Sequence, residues 1–106
     1  MLALMAAAAA AQASDTTRTA REAFTACLRT YVNHSIDART AAATFETEYP
    51  QQCTAQETAF RQAIIRRDMA MRSTRNSAEE SARLEIEDAR ANFSERFAAA
   101  MTPRSQ

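Results

Sequence analysis

Residues 54–101 read TAQETAFRQAIIRRDMAMRSTRNSAEESARLEIEDARANFSERFAAAM. Apolar side chains in this stretch return every three, four or seven residues, which is the spacing of one face of an α-helix. The members of this stripe are Phe60, Ile64, Met71, Ala78, Ala82, Ile86, Ala89, Phe93, Phe97 and Ala100. Because neither glycine nor proline interrupts the stripe, we predict one long helix over about 55–101. The alternative is a kink near 72–77, where every residue is polar.

Two shorter apolar stripes precede this segment and predict helices over about 16–33 and 35–49. The first carries Phe24, Leu28 and Tyr31, and the second is rich in alanine and ends at Phe45 and Tyr49. Pro50 stops the second helix, because the residue before a proline is pushed out of the α region. The predicted fold is therefore all-α, with a helical hairpin packed on the long C-terminal helix.

The composition of the chain agrees with this fold class. Its 106 residues suffice for one domain, and they include no glycine and two prolines. Alanine, arginine and glutamate, which are strong helix formers, are abundant. The lack of glycine argues against a sheet protein with tight turns and against a glycine-rich phosphate-binding loop.

The N-terminus has the pattern of an export signal. Residues 1–11 are apolar and uncharged, and Ala11-Gln12-Ala13 supplies the small-x-small triplet that signal peptidase recognises. We predict a signal peptide over 1–13, one helical domain over 14–101, a flexible tail over 102–106, and a periplasmic or secreted protein without a transmembrane segment. No Lys or Arg precedes the apolar run, so two alternatives stay open. The true start lies upstream of Met1, or the run is an ordinary alanine-rich helix start.

Cys27 and Cys53 are the only two cysteines, which in an exported chain predicts a disulfide. In the chain-entropy model, closing this loop stabilises the fold by about 3.5 kcal/mol. A straight helix would hold the two residues far apart, so the chain must turn between them, and we expect the turn at residues 33–35. The alternatives are a redox-sensing thiol pair, a zinc site that includes His34, and a catalytic cysteine with His34 as its base.

Charge is segregated along the long C-terminal segment, although the net charge of the chain is zero. The basic half is a candidate anion- or partner-binding surface of Arg61, Arg66, Arg67, Arg72 and Arg75. The acidic half holds Glu79, Glu80, Glu85, Glu87, Asp88 and Glu95. One hypothesis pairs two copies of the long helix as an antiparallel homodimer, basic half against acidic half. A second makes the arginines a surface for anionic lipid headgroups. The alternatives are pairing within one chain and a solvated face.

Nothing in the sequence predicts catalysis, a cofactor or a metal. His34 is the only histidine, and no motif sets a nucleophile beside a base. Nucleic-acid binding is disfavoured, because no aromatic residue interleaves the arginines. In size and helical content the chain is similar to small helical periplasmic stress chaperones. Its nearest string, Cys53-Thr54-Ala55-Gln56-Glu57, departs from their Leu-Thr-x-x-Gln motif at the leucine and the final glutamine. We therefore expect a non-enzymatic interaction or chaperone-like protein, with an envelope-binding module or a thiol or metal sensor as alternatives.

Overall fold

The described part of the chain folds entirely into helices, which confirms the predicted all-α class. A computed structural model describes residues 2–103, with side-chain environments from residue 11 onward. Its elements are α1 (Leu2–Asp37), α2 (Ala42–Glu48), a 3₁₀ turn (Tyr49–Gln51), α3 (Thr54–Ala70) and α4 (Arg75–Met101). No strand occurs within residues 2–103.

Helices α1, α3 and α4 pack against one another as an up-down-up three-helix bundle. Two contacts set α1 antiparallel to α3: the Cys27–Cys53 disulfide, with its Cα atoms 5.9 Å apart, and the Thr17 hydroxyl, which donates to the Ala63 carbonyl oxygen at 3.2 Å. The N-terminal end of α1 and the α3–α4 turn therefore lie at the same end of the bundle.

The core is a single cluster built from the inward faces of the helices. The rings of Phe24 on α1 and Phe60 on α3 meet near its centre, with their centroids 5.8 Å apart. Phe45 and Tyr49 reach it from α2 and the 3₁₀ turn. The remaining buried members are Leu28, Val32, Ile64, Ala82, Ile86, Phe93 and Phe97.

The predicted turn at 33–35 is wrong, because α1 continues to Asp37. Ser35 is buried on the inward face of α1 and belongs to the helix. The chain reverses after Asp37, where Arg39 takes a left-handed φ of 53° and Thr40 N–H donates to the Ser35 carbonyl oxygen at 3.0 Å. It then returns over α2 and the 3₁₀ turn to Cys53. A turn between the two cysteines is thus confirmed, and it lies several residues later than expected.

The single long helix predicted over 55–101 is also wrong, because the segment is an antiparallel pair, α3 and α4. The alternative of a kink near 72–77 comes closer, although the break is complete. Arg72 adopts a left-handed φ of 69°, and Ser73 N–H donates back to the Asp68 carbonyl oxygen at 2.9 Å. The Thr74 hydroxyl caps the new helix by accepting from Ser77 N–H at 3.1 Å. The turn needs neither glycine nor proline.

Helix α1 begins at Leu2 and not near residue 16 as predicted. The predicted signal peptide over 1–13 therefore overlaps the first turns of α1. Met1 lies outside the described residues, as do residues 104–106 of the predicted flexible tail. From residue 11 onward, the first buried side chain is Thr17.

Candidate functional site

The five arginines predicted as one anion- or partner-binding surface differ in their ion pairing. Arg66 and Arg72 are exposed and have no ion pair within the described residues. The other three are paired at 3.0–3.1 Å: Arg61 with Glu57, Arg67 with Asp68 and Glu85, and Arg75 with Glu79. Most of the predicted positive surface is thus neutralised by the chain's own carboxylates.

The basic and acidic halves of the C-terminal segment face each other within one chain. Because α3 and α4 form a hairpin, Arg67 reaches Glu85 at 3.0 Å and Glu57 reaches Arg90 at 2.6 Å. Arg21 on α1 adds a second cation to Glu85 at 2.9 Å. Within one chain, one ion pair, Arg67 with Glu85, thus joins the basic half to the acidic half.

Arg90 is the best-connected polar side chain of the bundle, and its role was not predicted from the sequence. Its guanidinium is 16% exposed and donates to Glu57 Oε1 at 2.6 Å. It also donates to the carbonyl oxygens of Gln52 at 2.7 Å and Tyr49 at 3.2 Å, and it lies 5.4 Å from the Phe24 ring centroid. A signal was available: Arg90 is four residues after Ile86, on the edge of the core stripe.

Tyr49 completes this connection from the 3₁₀ turn. Its hydroxyl donates to the Arg90 carbonyl oxygen at 2.7 Å. Burial raises the pKa of the Tyr49 phenol to about 12, an effect that the neighbouring Arg90 guanidinium partly offsets. This network joins the 3₁₀ turn that follows α2 to α4.

The structure brings Cys27, Cys53 and His34 together around a shallow surface depression of about 500 Å³. Ala26, Thr30, Tyr31 and Gln52 complete its lining. The predicted disulfide is present, so both sulfurs are bonded to each other. Within the described residues, no group of three or more His, Cys, Asp or Glu side chains is placed to hold a metal ion.

A second depression, of about 490 Å³, lies between α2 and the C-terminal part of α4, and we call it the α2–α4 groove. Its floor is apolar, and the rings of Phe45 and Phe97 stack there with centroids 3.9 Å apart. Its lining consists of Ala42, Phe45, Glu46, Ser94, Glu95, Phe97, Ala98, Met101 and Thr102. The groove combines an aromatic floor with a polar rim, which is the usual make-up of a binding site.

The rim of the groove is acidic. Glu46 and Glu95 border it, and neither has an ion pair within the described residues. The groove also lies at the C-terminal end of α4, where the helix dipole is negative and no basic residue occupies the last turn. Arg39 lines a separate depression, which shares Met101 with the groove.

Comparisons with protein-family models, with curated proteins and with solved structures find no match for this chain. Within the described residues, no helix is long and apolar enough to cross a membrane. Among the features of the described residues, the α2–α4 groove best resembles a binding surface.

Proposed function

We propose that the protein is an exported, disulfide-stapled, non-enzymatic interaction protein that binds a basic amphipathic helix of a partner protein. The observation that carries this proposal is the α2–α4 groove, with Phe45 and Phe97 at its floor and Glu46 and Glu95 at its rim. A chaperone-like role is the same activity directed at several partners.

The size and shape of the groove support a helical occupant. Its volume of about 490 Å³ lies within the range of ligand pockets, and it is open along the surface between two helices. Amphipathic helices bind such grooves by inserting side chains spaced three or four residues apart. Small side chains at Ala42 and Ala98 leave room for a partner backbone to approach.

The negative charge of the rim favours a basic partner segment. Two carboxylates and a helix C-terminus create a negative potential around an apolar floor. A partner segment with Leu or Phe anchors flanked by Lys or Arg would satisfy both the floor and the rim. Complementary charge of this kind raises the association rate and discriminates against acidic segments.

Export is supported by the disulfide. Disulfides persist in oxidising compartments such as the periplasm. Cleavage after Ala13 would remove no buried side chain of residues 11–103, since burial begins at Thr17. The Thr17 hydroxyl also bonds to the Ala13 carbonyl oxygen at 2.7 Å, and after cleavage it would keep its second acceptor on Ala63. A mass corresponding to Ser14–Gln106 in protein recovered from its cells would support export, and an unprocessed mass would contradict it.

The remaining hypotheses have less support. The charge argument for an antiparallel homodimer is weakened, because Arg67 pairs with Glu85 within one chain. A thiol or metal sensor would require reduction of the Cys27–Cys53 disulfide before either sulfur could bind a ligand. Envelope binding through all five arginines is weakened by their ion pairs, and we propose it below only for the α3–α4 turn.

The direct test is binding of a designed 14-residue Leu/Lys amphipathic helix, followed by fluorescence anisotropy of the labelled peptide. We expect saturable binding by the wild-type protein. Glu46→Lys combined with Glu95→Lys should weaken binding at least tenfold, because the rim then repels the peptide. Ala98→Trp should also abolish binding, since the new ring would fill the groove.

The matched controls are a Leu/Glu peptide of the same length and a Glu22→Lys variant, which changes the same kind of charge on the exposed face of α1. Both peptides binding equally, or Glu22→Lys acting as strongly as the rim variants, would show that binding is non-specific. Absence of binding to the Leu/Lys peptide would overturn the proposal.

A further inference from the structure

The turn between α3 and α4 exposes large apolar side chains next to unpaired cations. Met69 is 44% exposed and Met71 is 65% exposed. Arg66 and Arg72 lie beside them in sequence and have no ion pair within the described residues. We call these four residues and Arg75 the hairpin tip.

The hairpin tip keeps its positive charge. Residues 66–76 contain four arginines and one acid, Asp68. Arg67 binds Asp68, so these two charges cancel. Arg75 pairs with Glu79, but the two side chains are 66% and 51% exposed. Such an exposed pair is weak and exchanges readily for another anion.

We propose that the hairpin tip docks on an anionic bilayer surface. Arginine forks bind phosphate groups through two parallel hydrogen bonds, so Arg66 and Arg72 suit phospholipid headgroups. Met69 and Met71 are flexible apolar side chains, which can enter the headgroup region on the same approach. Each arginine near an anionic surface strengthens binding about fivefold, so the attachment is weak, reversible and sensitive to salt.

The position of the tip in the fold supports this orientation. The α2–α4 groove lies near the other end of α4. Met101 is about 39 Å along the helix axis from Arg75 at 1.5 Å per residue. A bundle docked by its tip therefore leaves the groove open to a partner. This inference is independent of the proposed function, since the two surfaces share no residue.

The test is flotation of the full chain with vesicles of 30% phosphatidylglycerol in phosphatidylcholine, compared with pure phosphatidylcholine. We expect binding to the anionic vesicles at 20 mM NaCl that falls at least tenfold at 500 mM NaCl. Arg66→Gln combined with Arg72→Gln should lower the partition coefficient about thirtyfold at low salt. Met69→Ser combined with Met71→Ser should also lower the partition coefficient of the protein. This loss should be clearest at moderate salt, where the charge contribution is screened.

The matched control is Arg29→Gln combined with Arg96→Gln, which removes the same charge from exposed sites that lie beside Phe93, away from the tip. Every variant retains residues 1–13, so differences between variants report the tip. Unchanged unfolding midpoints would show that the fold is intact. Equal losses for the two arginine pairs would overturn the proposal, as would equal binding to neutral vesicles or absence of binding to both.

Discussion

Tyr49 and Arg90 are joined in both directions. The Tyr49 hydroxyl donates to the Arg90 carbonyl oxygen at 2.7 Å, and Arg90 Nη1 donates to the Tyr49 carbonyl oxygen at 3.2 Å. The same guanidinium binds Glu57 at the start of α3. One side chain of α4 thus holds the 3₁₀ turn and α3 in place, and this connection supports the position of α2 beside the groove.

Replacing Arg90 should destabilise the protein strongly. Arg90→Ala removes the guanidinium donor of the Gln52 carbonyl oxygen, leaves the Tyr49 carbonyl oxygen with the Gln52 N–H alone, and removes the shorter ion pair of Glu57. We expect the free energy of unfolding to fall by about 3 kcal/mol, measured by urea denaturation followed by circular dichroism. Arg90→Lys should recover only part of this loss, because an ammonium cannot reproduce the guanidinium fork.

Arg96→Ala is the matched control for Arg90, since Arg96 is an exposed arginine on the same helix. Its loss should stay below about 0.5 kcal/mol. Equal losses for the two variants would mean that Arg90 contributes no more than an ordinary surface arginine.

Tyr49 should make stability fall at high pH. Its pKa is raised in the folded protein from 10.0 to about 12, so above pH 10 the unfolded chain releases a proton that the folded chain retains. The neutral phenol stabilises the fold fully below pH 10, and this contribution is lost as the pH rises to 12. Urea denaturation at pH 9, 10 and 11 should show the decline in the wild type and a smaller one in Tyr49→Phe. Parallel profiles would contradict the assignment.

The fold class and the disulfide were predictable from sequence, because one depends on the spacing of apolar residues and the other on the number of cysteines. Helical periodicity is visible without knowledge of tertiary contacts, and two cysteines leave one possible pairing. The α3–α4 break was not predictable from the stripe, because Ile64 and Ala78 face the same core from two antiparallel helices. The turn between them is four residues long, close to one helical turn, so the apolar stripe keeps its helical spacing across the break. The local sign of the break was Thr74, a residue able to cap a helix, within a polar run. It indicates a break only if Arg72 can adopt a left-handed backbone conformation.

The groove was beyond sequence reasoning for a different reason. Phe45 and Phe97 are far apart in sequence, and each reads as an ordinary core residue. Their stacking and the acidic rim arise only when α2 folds back beside the end of α4. The arginine surface was overestimated because the prediction did not count ion pairs. Arg61 and Arg75 each pair with a glutamate four residues away in the same helix, and the hairpin adds Glu85 to Arg67.

Removing the disulfide should lower stability without changing the fold. Cys27→Ser combined with Cys53→Ser opens the loop between α1 and the start of α3. The chain-entropy model gives a loss of about 3.5 kcal/mol, to be measured by urea denaturation at pH 7. Wild-type protein treated with a reductant should show the same midpoint as the double variant, while helical content at low denaturant is retained. A midpoint unaffected by reduction would show that packing alone sets the stability.

Glycine should stabilise the protein at Arg72, in the α3–α4 turn, and destabilise it at Arg66, inside α3. Arg72 is held at a φ of 69°, which costs a non-glycine residue about 1 kcal/mol, so Arg72→Gly should raise the free energy of unfolding by about 0.5–1 kcal/mol. Arg66 lies inside α3, so Arg66→Gly should lower it by about 1 kcal/mol. Thr74→Ala should lower the free energy of unfolding by about 1 kcal/mol, because it removes the cap on Ser77 N–H. Thr74→Ser keeps the hydroxyl and should leave stability unchanged. Urea denaturation of the four variants measures all these changes. If both glycine variants were destabilised to the same extent, α3 and α4 would be continuous through residue 72, and the hairpin would be wrong.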